Sequence, residues 1–254
     1  EIEVQAPFWL TIPFGGKWQY PDIRDHTNLK YTQHYGESPD LYAASGAFDL
    51  SVSDPSIGTH ARTADNVWDT LGKVHAEFDA KGGGIDYNAY QNSNSYATSI
   101  LKVVGIDIDK YVGAATPTEV ENLPGLGLDI LQSDKYAIPL ALSGTGGTDY
   151  IRTGVKNDVI RGEAGADLLY GGGGVDIVRG GEGNDRIEGE GGGDGLYGGA
   201  GNDYLYGGDG NDTLTVLAGE DAVGEVIDGG TGTNVLELGN VDVSQSAITN
   251  IQTF

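Results

Sequence analysis

Along one stretch of this chain an Asp recurs every nine residues: Asp149, Asp158, Asp167, Asp176, Asp185, Asp194, Asp203, Asp212 and Asp221. Two places after each stands an aliphatic residue: Ile151, Ile160, Leu169, Val178, Ile187, Leu196, Leu205, Leu214 and Val223. Glycine-rich sequence precedes each Asp, fullest in Gly180-Gly181-Glu182-Gly183-Asn184-Asp185 and Gly198-Gly199-Ala200-Gly201-Asn202-Asp203. A tenth unit follows a four-residue insertion, with Asn234 in the Asp place and Leu236 in the aliphatic place. A disordered acidic tail would not keep an aliphatic residue in register with every Asp, so the phrase reads as a folded repeat.

A three-residue strand such as Arg186-Ile187-Glu188 points only its middle side chain inward, so each unit supplies one aliphatic residue to a thin core. Glycines let the backbone turn sharply between such strands. If two turns and two strands make one coil, units eighteen residues apart stack. Asp149, Asp167, Asp185, Asp203 and Asp221 then form one column, and Asp158, Asp176, Asp194 and Asp212 the other. Stacked carboxylates repel unless a cation lies between them. Calcium suits such a gap, because it accepts several oxygens in forgiving geometry and turn carbonyls complete its shell.

With ten tandem units the segment resembles the RTX, or haemolysin-type calcium-binding, repeat family. The resemblance implies a parallel β-roll, one calcium ion per gap between stacked turns, and export of an unfolded chain by a type I system. One ion per gap gives about seven sites, four in the longer column and three in the other. Lys156 replaces a turn glycine before Asp158 and Asn234 replaces the last Asp, so the column ends are expected to bind poorly or to act as caps.

Charge fits this expectation. The formal net charge is -24, of which the segment 144–237, with 18 acidic and 5 basic residues, carries -13. Such a surface repels nucleic acid and anionic membranes and attracts divalent cations. Without cation the repeat should stay open, so the reading is a chain unfolded where calcium is scarce and folded outside the cell. There is no Cys, hence no disulfide and no thiolate metal site. No apolar run reaches the ~18 residues of a membrane span, and the first residues lack the regions of a cleavable signal. The chain opens on Glu1 rather than Met and stops at Phe254, which reads as a fragment or processed product whose export signal is lost or lies beyond the end.

The expected architecture is mixed: an α+β domain over 1–115, a linker with one short helix over 116–143, the β-roll over 144–237 and capping strands over 238–254. In the first part, Ile2-Glu3-Val4, Phe8 to Ile12, His26 to Thr32, Asp40 to Ser45 and Ala47 to Ser53 read as extended. Val67, Leu71, Val74 and Phe78 recur at helical spacing and predict a helix from about Ala64 to Lys81, ended by Gly82-Gly83-Gly84. A second helix is predicted from Asn94 to Gly105, with Tyr96, Ile100 and Val103 inward. In the tail, Ile248, Ile251 and Phe254 are expected to cover the roll's open end, since an uncovered edge invites self-association.

Just before the second helix, Asn92-Ser93-Asn94-Ser95-Tyr96 resembles the Asn-Cys-Asn-x-Phe signature of permuted papain-like peptidases of the PPPDE and LRAT-like kind, with Ser93 in the cysteine's place. That resemblance makes His26, upstream on a strand, the matching base. A helix N-terminus stabilises a developing oxyanion, but a serine needs a well-placed base and an orienting group, and no third residue offers itself. Asn92-Ser93-Asn94 is equally a run of preferred helix caps, and a degenerate papain-like domain that binds without catalysis is a further alternative. There is no H-E-x-x-H, no G-x-S-x-G and no amphipathic membrane segment, which removes a zinc protease, an RTX lipase and a pore former. Two readings follow: a secreted calcium-binding protein whose N-terminal domain serves binding or surface assembly, with a cell-surface partner or a second copy; or a secreted serine amidase or peptidase using Ser93 and His26.

Overall fold

The computed structural model describes residues 19–20, 30–34, 42–47, 50–81, 93–107, 129–133, 137–217, 224–239 and 242–253. Its larger part is a parallel β-roll of about six coils. Its strands are β6 (Ala141–Ser143), β7 (Tyr150–Arg152), β8 (Val159–Ala164), β9 (Leu168–Gly174), β10 (Ile177–Glu182) and β11 (Arg186–Gly192). They continue as β12 (Gly195–Ala200), β13 (Tyr204–Asp209), β14 (Thr213–Val216), β15 (Val226–Asp228), β16 (Val235–Leu238) and β17 (Ala247–Thr249). Even-numbered strands form one six-stranded sheet, β6-β8-β10-β12-β14-β16, and odd-numbered strands the other, β7-β9-β11-β13-β15-β17. Successive units therefore alternate between sheets, and Val178 pairs with Ile160 on one side and Leu196 on the other.

The period-nine aliphatics become two facing stacks. Ile151, Ile160, Leu169, Val178, Ile187, Leu196, Leu205, Leu214, Ile227 and Leu236 are all 0% exposed. This core is one side chain deep per strand. Burying one such side chain is worth about 1.5–3 kcal/mol, which is less than the entropy cost of ordering the nine residues that carry it. Something besides the apolar stack must hold the turns.

The roll departs from nine-residue counting at both ends. It opens three residues before Gly144, on β6, with Leu142 in the aliphatic place and Leu140 in the Asp place. Near the other end, Leu205 pairs with Ile227 and Leu214 with Leu236. The insertion thus lies before Glu225, which is 1% exposed and takes the column place that counting assigned to Asp221. Asp221 and Val223 lie outside the described residues. The register follows the aliphatic side chain that reaches the core, and the added residues go into the connection before it. In the tail, β17 joins β15 in parallel, Ile227 opposite Ile248, as the last strand of the odd-numbered sheet. Ile248 and Ile251 pack on the core from there, and Phe254 lies outside the described residues.

In the first half, β1 (Gln19–Tyr20), β2 (Lys30–His34) and β3 (Tyr42–Ala47) form an antiparallel sheet, and β4 (Val52–Asp54) and β5 (Gly58–His60) a hairpin. The segments expected at Ile2 to Val4 and Phe8 to Ile12 lie outside the described residues. Helix α1 (Ala64–Ala80) buries Val67, Leu71, Val74 and Phe78, as the spacing predicts. Helix α2 (Ser93–Val103) ends before Gly105, whose φ of +72° favours glycine.

These helices close the roll's first coil. Val74 and Phe78 of α1 and Val103 of α2 belong to the same buried cluster as Leu142, Ile151 and the whole aliphatic stack. Among the described residues of 116–143, a 3-10 turn at Ile130–Gln132 buries Ile130 and Leu131 in that cluster. Polar contacts tie the joint further: Lys73 Nζ donates to the Ser143 carbonyl at 2.9 Å and to the Gly144 carbonyl, and Thr70 Oγ1 donates to Asp149 Oδ1 at 3.1 Å.

Candidate cation site in the turns

Six Asp residues of the two columns, Asp167, Asp176, Asp185, Asp194, Asp203 and Asp212, do the same local work with one carboxylate oxygen. The backbone N–H of Asp149 donates to Asp167 Oδ1 at 2.8 Å, and the Asp158 N–H donates to Asp176 Oδ1 at 2.7 Å. The ladder continues from Asp167 to Asp185 at 2.9 Å, Asp176 to Asp194 at 2.8 Å, Asp185 to Asp203 at 2.8 Å and Asp194 to Asp212 at 2.9 Å. Oδ1 therefore locks each coil to the one before it.

The second oxygen has a different environment. Oδ2 of Asp167, Asp176, Asp185, Asp194 and Asp212 is buried without a hydrogen-bond donor. It faces the first glycine of its own turn and a carbonyl of the next coil. A Cβ added at Gly171 would lie 2.6 Å from Asp176 Oδ2 and 3.0 Å from the Gly189 carbonyl oxygen. A Cβ at Gly162, Gly180, Gly189 or Gly207 would likewise overlap the Oδ2 of Asp167, Asp185, Asp194 or Asp212 together with the carbonyl oxygen of Gly180, Gly198, Gly207 or Gly229. At Gly198 it would overlap Asp203 Oδ2. At Gly162, Gly171, Gly180, Gly189 and Gly207 a carboxylate and a carbonyl oxygen thus meet beside the glycine, walling a small hollow that any side chain would close, and at Gly198 a carboxylate oxygen does so.

Oxygen facing oxygen in a buried place is unfavourable without a cation. Protonation levels express this. Burial, reinforced by the carboxylates of neighbouring coils, pushes Asp167 up to about 7 and Asp176 and Asp185 up to about 8. Burial likewise pushes Asp158 and Asp194 up to about 6, and it raises Asp212. Among the described residues no three His, Asp or Glu side chains converge as a metal-binding group. One carboxylate plus backbone carbonyls per hollow is an all-oxygen set, which fits a hard cation such as calcium and not a zinc-type ion.

The outermost rungs differ. Asp149 Oδ2 accepts the Thr145 N–H at 2.6 Å and the Thr145 hydroxyl at 2.9 Å, and Asp158 Oδ2 accepts the Gly154 N–H at 3.3 Å. Thr145, Gly147, Gly154 and Lys156 lack the left-handed φ that Glu163, Gly165, Gly172 and Gly174 show at the equivalent places of the following turns. In these two turns the Thr145 and Gly154 N–H groups reach the carboxylate. Thr145 and Thr153 stand in these two turns, so the sequence did carry a signal that the first rungs are closed by protein donors.

The family description of the RTX calcium-binding nonapeptide repeat matches this segment in four copies, over 143–178, 170–205, 179–214 and 194–223. Residues 143–223 are an RTX array. RTX nonapeptide repeats bind calcium ions, several per array, which agrees with the all-oxygen hollows. No curated protein and no solved structure matches the chain.

The second site expected from the sequence, Ser93 with His26, lies outside the described residues. Ser93 is the first residue of α2, but its side chain lies outside the described residues, as does all of His26. Within the roll, reasoning from sequence missed Glu225. Counting back nine from Asn234 instead of forward nine from Asp212 reaches it directly.

Proposed function

We propose that this chain is a secreted protein whose RTX array folds outside the cell by taking up calcium between Asp167, Asp176, Asp185, Asp194, Asp203 and Asp212 and the turn carbonyls, Asp149 and Asp158 serving as end rungs. The observation that carries the reading is the row of buried Oδ2 atoms facing carbonyl oxygens across hollows kept open by glycine. The acidic composition supports it, because the calcium-free segment repels itself and stays open during passage through a membrane. Calcium sites of extracellular modules commonly fill at about 0.1–1 mM, a level met outside cells. On this reading the first half, whose helices α1 and α2 cover the first coil, serves binding or surface assembly, with a cell-surface partner or a second copy as its target.

Native mass spectrometry of the full chain in millimolar calcium tests the assignment. The six hollows at Gly162, Gly171, Gly180, Gly189, Gly198 and Gly207 predict six bound ions. A chain that stays metal-free in millimolar calcium contradicts it.

A further inference from the structure

Asn234 stands in an Asp place, is 0% exposed, and makes the ladder bond that an Asp would make. Its Oδ1 accepts the Asp212 N–H at 2.9 Å. That bond fixes the orientation of the amide, since only its oxygen accepts an N–H. Nδ2 is thereby directed to the side on which the aspartates carry Oδ2. There it donates to the Asn250 carbonyl at 3.1 Å, with the Gly230 and Thr231 carbonyls at 3.4 and 3.5 Å.

The comparison with the preceding coil is direct. The hollow at Gly207 has Asp212 Oδ2 and the Gly229 carbonyl oxygen on its walls. The hollow at Gly229 has Asn234 Nδ2 and the Asn250 carbonyl oxygen. Exchanging a single oxygen for an NH2 group turns an oxygen-to-oxygen contact, which demands a cation, into a hydrogen bond, which excludes one. The ladder then continues on a second neutral amide, as Gln252 Oε1 accepts the Asn234 N–H at 2.6 Å.

We propose that Asn234 is a built-in replacement for the cation: it ends the ion row of the Asp158 column and holds the last coil to Asn250 and Gln252 without a metal of its own. The Gly229 hollow is in consequence a dormant cation site, separated from an active one by one atom. This inference rests on the calcium reading above and adds to it the residue that sets the length of the ion row.

The test is the number of calcium ions bound to the full chain, counted by native mass spectrometry during a calcium titration. Asn234→Asp should bind one ion more than the wild type. Asp212→Asn makes the same exchange one coil earlier and should bind one ion fewer while retaining its folded circular dichroism in calcium. An unchanged count in Asn234→Asp overturns the proposal. Should that variant not fold in calcium, an unchanged count in Asp212→Asn overturns it instead. A wild type that binds no calcium overturns the underlying calcium reading, whereas a wild type with its ions in place and an unaltered Asn234→Asp overturns this inference alone.

Discussion

In excess chelator at pH 8 the chain loses most of its β-sheet circular dichroism, and millimolar calcium restores it. The apolar stack is too thin to hold the turns, and without cation each coil adds a buried, donorless carboxylate oxygen such as those of Asp176 and Asp185. An ion at one hundred times its dissociation constant stabilises the folded state by about 2.7 kcal/mol. Six such sites give on the order of 15 kcal/mol, comparable with the whole stability of a typical domain, about 5–15 kcal/mol. Withdrawing the ions should therefore unfold the roll.

The same experiment has a pH arm. Asp167, Asp176 and Asp185 are pushed up to about 7, 8 and 8 in the calcium-free roll, against about 3.9 for an Asp in an unfolded chain. The folded form then holds more protons than the unfolded form over that interval, so its stability falls as pH rises through it. The contribution is fully present below about pH 4 and is lost by about pH 8. In chelator the roll should accordingly be better folded at pH 5 than at pH 8, whereas in calcium acidification should weaken binding, because protons and calcium compete for the same oxygens. Equal or lower structure at pH 5 in chelator would contradict this account of the carboxylates.

Gly180→Ala should remove a central ion. Gly180 does not have a left-handed φ, so alanine fits its backbone. The new Cβ would overlap Asp185 Oδ2 and the Gly198 carbonyl oxygen, the two groups that wall the hollow. The variant should bind one ion fewer and need at least about tenfold more calcium to fold, the equivalent of 1.4 kcal/mol or more. Gly191→Ala is the matched control. A Cβ there would meet only the Gly172 carbonyl oxygen at 3.8 Å, and its φ is not left-handed. Calcium titrations followed by circular dichroism compare the two; equal midpoints would place the ions somewhere other than these hollows.

Much of this was legible before any coordinates. A period of nine with an aliphatic residue two places after each Asp fixes strand, turn and face at once, because in a three-residue strand only the middle side chain can point inward. Val67, Leu71, Val74 and Phe78 fixed α1 for the equivalent helical reason. What sequence did not show is where those helices sit. Nothing in the spacing of Val74, Phe78 and Val103 says that they finish the stack begun by Leu142 and Ile151, since that contact spans distant parts of the chain. The placing of the insertion failed because Asp221-Ala222-Val223 and Glu225-Val226-Ile227 both offer an acid followed by an aliphatic residue two places on. Only the pairing of Leu205 with Ile227 distinguishes them. The carbonyl half of each hollow was hidden for a simpler reason: a backbone oxygen has no letter in the sequence, and the glycine that leaves room for it was read as a turn residue alone.

The central claim is that the cations lie inside the turns, between the carboxylate of one coil and the carbonyl of the next. Anomalous diffraction from crystals grown in calcium tests it most directly. The account predicts a row of anomalous peaks in the hollows, including one between Asp185 Oδ2 and the Gly198 carbonyl and another between Asp194 Oδ2 and the Gly207 carbonyl, with none beside Asn234. A folded roll in calcium with no peak in those hollows, or with its peaks only on the outer acidic surface, would contradict it.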